Sequence, residues 1–158
     1  MAAAFDLSYQ DLTVGQQRLF RRLGLHPGTE IDAYAAAALD DTDLQATRRS
    51  LAELHDQNLI SEPARGRYRL HDLLREHART LAAADDDADN LAAIGRLLDY
   101  YLHTSVAASR HTAWHPSIAD LAPPSPAPAW VPKLRTEEES IAWLGTERSN
   151  LHACSLPS

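Results

Sequence analysis

The sequence predicts a mainly α-helical protein that carries one small β-hairpin. Apolar residues recur at intervals of three and four over most of the chain, as on one face of a helix. Near residue 59 this period gives way to the polar–apolar alternation of short strands. Alanine, which has the highest helix propensity, is abundant. With 158 residues, the chain is long enough to bury a sizeable core.

Composition and charge narrow the classes of function. The chain is 44% hydrophobic and 23% charged, with a net charge of -7, and this acidic balance argues against general binding to nucleic acid or anionic membranes. No apolar run is long enough to span a membrane, so no membrane partner is expected. The single cysteine, Cys154, excludes a disulfide framework and favours a cytoplasmic location.

Three helices are predicted in the first 57 residues. Thr13 can cap a helix over residues 14–25, which His26-Pro27-Gly28 ends. An alanine-rich helix is expected over residues 31–39 and a third helix over residues 44–57. The inward faces expected for the first and third helices are Leu12, Leu19, Phe20 and Leu23, and Leu44, Leu51 and Leu54.

A hairpin is predicted next, with strands at residues 59–62 and 67–70 and a turn at 63–66. Gly66 can supply a positive φ in the turn, and alternation directs both Tyr68 and Leu70 inward. Three helices followed by a hairpin is the element order of a winged helix. We therefore expect residues 5–80 to form a winged-helix domain, with the third helix in the place of the recognition helix.

Residues 81–158 are expected to form a helical extension. Asp72 is a plausible N-cap of the helix that leads into it, and residues 85–89 form an acidic break. A long helix is predicted over residues 91–110 and a last one from Glu137, separated by a Pro-rich loop at 112–136. The expected inward faces are Leu73, Leu74, His77, Ala78 and Leu81; Leu91, Ile94, Leu97, Leu98, Tyr101 and Leu102; and Ile141, Leu144 and Leu151.

Several segments, in order, resemble the AfsR-like NB-ARC transcriptional regulators of actinomycetes, which belong to the STAND class of signal-transduction ATPases. They include Phe5-Asp6-Leu7-Ser8-Tyr9 and the run Arg18 to Gly28. The resemblance continues through residues 32–39, 68–78, 97–103 and 142–151, so it covers nearly the whole chain.

The resemblance implies a winged-helix domain between a nucleotide-binding domain and tetratricopeptide repeats. Leu70-His71-Asp72 matches the family's Met-His-Asp motif, with Leu in the place of Met. By resemblance, His71 would reach the β-phosphate of ADP, and Asp72 would orient the loop. The implied function is that of a regulatory interdomain module, which couples the ADP or ATP state of a neighbouring domain to output.

The nucleotide itself is expected to be held elsewhere. These 158 residues contain no Gly-x-x-x-x-Gly-Lys-Ser/Thr phosphate loop and no magnesium-binding aspartate after an apolar strand. The chain should therefore carry no cofactor of its own, and ADP or ATP with magnesium is implied for the neighbouring domain. A middle piece of a larger regulator, or a truncated gene product, is the expected context.

DNA binding is the alternative function. Arg48 and Arg49 lie early on the third helix, and Arg65, Arg67 and Arg69 lie on the hairpin, where a DNA-binding winged helix meets bases and phosphates. The acidic residues at the start of that helix disfavour this interpretation, as does the net charge.

Neither a metal site nor an enzyme is expected. His111 and His115 have helical spacing but lack a third ligand, and Pro116 follows them directly. His152 and Cys154 lie near the C-terminus with no group to orient them as a nucleophilic pair.

Overall fold

This computed structural model describes residues 2–112 and 126–155 of the chain. These residues contain seven α-helices and one β-hairpin. The mainly helical prediction with one small hairpin is confirmed. In chain order the elements are α1 (Ala2–Gln10), α2 (Val14–Leu23), α3 (Ala33–Asp40), α4 (Leu44–Asp56), β1 (Ser61–Ala64), β2 (Arg67–Arg69), α5 (Asp72–Ala82), α6 (Asp87–Ser109) and α7 (Glu137–Ser155).

The first and third predicted helices are confirmed as α2 and α4. Thr13 and Gln16 form a reciprocal capping box at the start of α2, which satisfies two backbone donors. The apolar faces predicted for both helices are buried, and they build the centre of the core. α1 precedes them and was not predicted, because its exposed Leu7 and its alanines give little periodicity.

The second predicted helix begins two residues later than expected. Ile31 is not helical, because its N–H and C=O both pair with Tyr68 of β2, at 2.9 Å each. Asp32 then caps α3 by accepting a hydrogen bond of 2.8 Å from the N–H of Ala35. A short bridge to the hairpin therefore displaces the first turn of the predicted helix.

The hairpin forms where it was predicted, but its strands are shifted. β1 and β2 pair antiparallel, and the turn narrows to Arg65-Gly66, with Gly66 at φ 75°. Leu59 and Ile60 were expected in the first strand. They lie in the turn before it, where the N–H of Leu59 bonds to the carbonyl of Leu54 at the end of α4, and both side chains are buried. Leu70 is buried as predicted and Tyr68 is half-buried.

α6 begins at Asp87, four residues before the predicted start. The acidic segment at residues 85–89, predicted as a break, instead contains the N-cap of α6: Asp86 accepts a hydrogen bond of 2.7 Å from the N–H of Ala88. The predicted inward face is wrong in part, because Leu91, Leu98 and Leu102 are exposed. α6 packs along the alanine-rich α3, and small side chains allow this close approach. Its buried residues are Ala93, Leu97, Tyr100, Tyr101, Thr104, Val106 and Ala108.

α7 also buries a different face from the one predicted. Ile141 is exposed, and Leu144 and Leu151 are only half-buried. The buried residues are Ser140, Trp143, Glu147 and Asn150, which recur at helical spacing. Three of the four are polar: Glu147 and Asn150 have polar partners, whereas the buried hydroxyl of Ser140 makes no hydrogen bond among the described residues. Within the predicted Pro-rich loop, residues 126–136 form no helix or strand, and residues 113–125 lie outside the described part.

Candidate interdomain surface

His71, Asp72 and Leu73 form an exposed patch at the start of α5, here called the α5 tip. All three side chains are exposed, and that of Leu73 is 64% exposed. The buried Leu70 and Leu74 flank the patch and anchor it to the core. Leu73 was expected to face inward, and this expectation is wrong. The start of α5 therefore exposes an imidazole, a carboxylate and an apolar side chain in succession, and the core holds the backbone on both sides of them.

Asp72 is not the N-cap of α5, in contrast to the prediction. His71 takes that position, with extended φ and ψ of -65° and 155°, and it makes no side-chain cap hydrogen bond. Asp72 is already helical, so its carboxylate acts through the helix dipole in the first turn. The imidazole of His71 is consequently not engaged in capping its own helix.

Arg75 and Arg79 of α5 tie this helix to the loop after α2. The guanidinium of Arg75 donates to the carbonyls of His26 and Gly28, at 3.0 and 2.8 Å. That of Arg79 donates to the carbonyl of Gly24 at 3.1 Å. The helix approaches Gly24 so closely that a Cβ there would lie 2.9 Å from the Cβ of Ala78. The orientation of the α5 tip is therefore set by the loop after α2.

The loop after α2 is itself fixed by a buried histidine. His26 is 2% exposed; its Nδ1 accepts from the N–H of Gly28 at 3.1 Å, and its Nε2 lies 2.9 Å from the Tyr101 hydroxyl on α6. Burial lowers the pKa of His26 from 6.5 to about 4. The sequence predicted only a helix stop here, whereas the residue joins α2 to α6.

A second polar cluster joins α7 to the hairpin; it comprises Gly28, Glu30, Arg67, Glu147 and Asn150 and is here called the α7 seam. The Arg67 guanidinium contacts the carboxylate of Glu147, which is 1% exposed. The Asn150 amide donates to Glu147 at 2.6 Å and to the carbonyl of Glu30 at 2.9 Å. A Cβ at Gly28 would collide with the amide oxygen of Asn150.

Sequence reasoning missed the α7 seam. The available signal was the recurrence of Ser140, Trp143, Glu147 and Asn150 at intervals of three, four and three. Apolar patterning did not select these positions, because three of them are polar.

The five arginines of the DNA-binding alternative do not share one environment. Arg48 lies over the ring of Tyr34, at 5.7 Å from its centroid, and Arg49 and Arg65 are exposed. Arg67 is paired with Glu147, and Arg69 donates to Glu30 at 2.7 Å. Two of the five charges are therefore engaged within the chain.

The described residues contain no group of three His, Cys, Asp or Glu side chains placed to hold a metal ion. His115, one half of the pair considered above, lies outside the described part. Over residues 2–112 and 126–155, no helix has both the length and the apolar character needed to cross a membrane.

Comparison with known proteins identifies relatives of this chain. It is 37% identical over 158 residues to Regulatory protein AfsR of Streptomyces griseus, covering 99% of this chain and 16% of that protein. It is 40% identical over 159 residues to Regulatory protein AfsR of Streptomyces coelicolor, covering 96% of this chain and 16% of that protein. No family model matches, and no solved structure matches significantly. Over nearly its whole length, the chain is homologous to one segment of the AfsR regulatory proteins.

Proposed function

We propose that this chain is a winged-helix interdomain module of an NB-ARC-type, STAND-class transcriptional regulator. Its role is regulatory: it couples the ADP or ATP state of a neighbouring nucleotide-binding domain to output. The tetratricopeptide repeats of the same regulator are its second proposed partner, and the cytoplasm is its proposed location. The homology to AfsR regulatory proteins supports the regulatory role.

The observation that carries the proposal is the exposed α5 tip. His71, which matches the central residue of the family's Met-His-Asp motif, is exposed and makes no capping hydrogen bond. An imidazole can donate to a phosphate oxygen in its neutral and in its charged form. The adjoining Leu73 offers apolar surface to a neighbouring domain. This geometry suits a histidine that acts on a ligand held by another domain.

The proposed mechanism is a difference in contact between two states. In the closed state, His71 donates a hydrogen bond to the β-phosphate of ADP in the neighbouring domain. In the open state this bond is absent, so the nucleotide favours closure by the free energy of the contact. The Arg75 and Arg79 contacts would transmit the position of α5 to the loop after α2.

DNA binding by this module is the less supported alternative. The engaged Arg67 and Arg69 leave Arg48, Arg49 and Arg65 as the exposed candidates, on a chain with a net charge of -7. A salt-dependent gel shift with random duplex DNA separates the two functions, because phosphate contacts weaken steeply with added salt.

The test of the proposed function is a chimera in which this chain replaces the matched segment of S. griseus AfsR. His71→Ala should make transcription from a reporter independent of the activating signal. His55→Ala, at an exposed position of α4, is the matched control and should leave regulation unchanged. Thermal melts of the 158-residue chain should show that His71→Ala keeps a nearly normal melting temperature. A silent reporter together with an unfolded chain would make His71 a packing residue.

A further inference from the structure

The contact between α7 and the rest of the protein is unusually polar for a buried helix face. Ser140, Glu147 and Asn150 are buried on that face, and Trp143 is its single buried large apolar residue among the described positions. Surfaces between units that move relative to one another are typically more polar than a domain core. The α7 seam therefore has the composition of a separable contact.

The core around α2 and α4 closes largely without α7. Its fully buried large apolar side chains all lie on the elements up to α6: Leu19, Phe20, Leu39, Leu51, Leu54, Leu59, Leu97 and Tyr100. α7 adds Trp143 and the half-buried Leu144, Leu151 and Cys154. α7 therefore contributes few of the large apolar side chains of the core.

A solvent-open groove of about 470 Å³ runs beside the α7 seam. Arg48 and Arg65 line one side, and Ala142 and Thr146 of α7 line another. Arg67 and Glu147 also line this groove, although the carboxylate of Glu147 is itself buried. The preceding residues 126–136 form no helix or strand and lead into α7.

We propose that α7 docks on and undocks from α6 and the hairpin as a unit, with the Arg67–Glu147 ion pair as its latch. Undocking removes Glu147 from the Arg67 guanidinium, which keeps Glu30 at 3.6 Å, and opens the groove that Arg67 shares with Arg48 and Arg65. The position of α7 is thereby communicated to the hairpin. This device rests on the α7 seam alone and is independent of the function proposed for His71.

A thiol at Ser140 provides the test, because Ser140 lies on α7 and is fully buried, whereas the native Cys154 is only half-buried. The substitutions Ser140→Cys and Cys154→Ser are introduced into the wild-type chain and into every variant below, and the rate at which a disulfide reagent labels position 140 then reports how often α7 undocks. In the otherwise wild-type chain, labelling at low urea should be nearly independent of urea, because local opening exposes less surface than global unfolding. Labelling that follows the full urea dependence of global unfolding would overturn the proposal.

Variants of the latch sharpen the test. Glu147→Gln should accelerate labelling at least tenfold. Asp85→Asn is the matched control: it breaks the Arg21–Asp85 ion pair of 2.6 Å, which does not involve α7, and should leave the rate unchanged. The double variant Arg67→Met/Glu147→Leu replaces the pair by apolar side chains and should label no faster than wild type. A Glu147→Gln rate equal to the wild-type rate would refute the latch.

Discussion

The guanidinium of Arg67 on β2 contacts the carboxylate of Glu147 on α7, a residue 80 positions later in the chain. The Glu147 side chain is 2% exposed and that of Arg67 is 12% exposed. Asn150 supplies a further hydrogen bond to the carboxylate, and Glu30 lies 3.6 Å from the guanidinium. Each of these two charges therefore faces an opposite charge, and removal of either side chain would leave the other charge without that partner.

Glu147→Ala is expected to destabilise the chain by about 3–5 kcal/mol, the usual cost of leaving one partner of a buried ion pair uncompensated. Urea denaturation followed by circular dichroism measures this loss. Glu137→Ala, at an exposed position in the first turn of α7, is the control and should cost less than about 1 kcal/mol. Equal stabilities of the two variants would mean that the ion pair contributes nothing to folding.

Gly28→Ala should destabilise the chain by about 1–3 kcal/mol, because the added Cβ collides with the amide of Asn150. Asn150→Ala removes that obstacle but also loses two hydrogen bonds. The two substitutions should therefore be non-additive, and the double variant should be more stable than the sum of the singles predicts. Additive losses in a thermal or urea double-mutant cycle would contradict the contact.

The free energy of unfolding should depend on pH through two residues, His26 and Asp32, whose effects have opposite signs. Burial lowers the pKa of His26 to about 4, so its contribution is full above pH 6.5 and is lost as the pH falls toward 4. Burial raises the pKa of Asp32 from 3.8 to about 6, so its ionisation costs stability above pH 6, and this cost disappears as the pH falls toward 3.8. In the wild-type chain the two trends oppose each other between pH 6 and 4.

Asp32→Asn should separate these trends. Asparagine caps a helix about as well as aspartate and cannot ionise, so the variant should gain about 1–3 kcal/mol at pH 7. It should also lose stability more steeply than the wild type between pH 6.5 and 4, because the titration of His26 is then unopposed. Urea denaturation at a series of pH values measures both effects. A variant that is less stable at pH 7 would show that the Asp32 charge supports the fold.

Sequence patterns predicted the helices that bury apolar stripes and missed the faces that bury polar or small residues. The leucines of α2 and α4 were correctly placed, since burial of large apolar side chains dominates their packing. On α6, Leu98 was expected inside and is exposed, whereas Ala93 and Leu97 are buried where α6 packs along the alanine-rich α3. Tertiary fit, which periodicity does not encode, decided that face.

The candidate site was only partly accessible from sequence. His71 could be singled out by the family resemblance, but its position as N-cap and the exposure of Leu73 required the structure. The partnership of Arg67 with Glu147 spans most of the chain, and no local pattern encodes such a pairing. The division into domains at residues 5–80 and 81–158 stays a prediction.

The chain alone should bind no nucleotide tightly. One imidazole at a helix start cannot replace a phosphate loop with its bound magnesium. Isothermal calorimetry of the 158-residue chain with ADP, and with Mg·ATP, should show no measurable heat of specific binding. A submicromolar isotherm would place a nucleotide site within this chain and contradict the assignment of the site to a neighbouring domain.

The affinity for ADP of the AfsR chimera described above tests the central claim most directly. A hydrogen bond to a charged acceptor contributes about 1.5–3 kcal/mol, which corresponds to about 10- to 150-fold in affinity. His71→Ala should weaken ADP binding to the chimera by that factor, while His55→Ala leaves it unchanged. Equal ADP dissociation constants for the His71→Ala chimera and its parent would show that His71 makes no contact with the nucleotide.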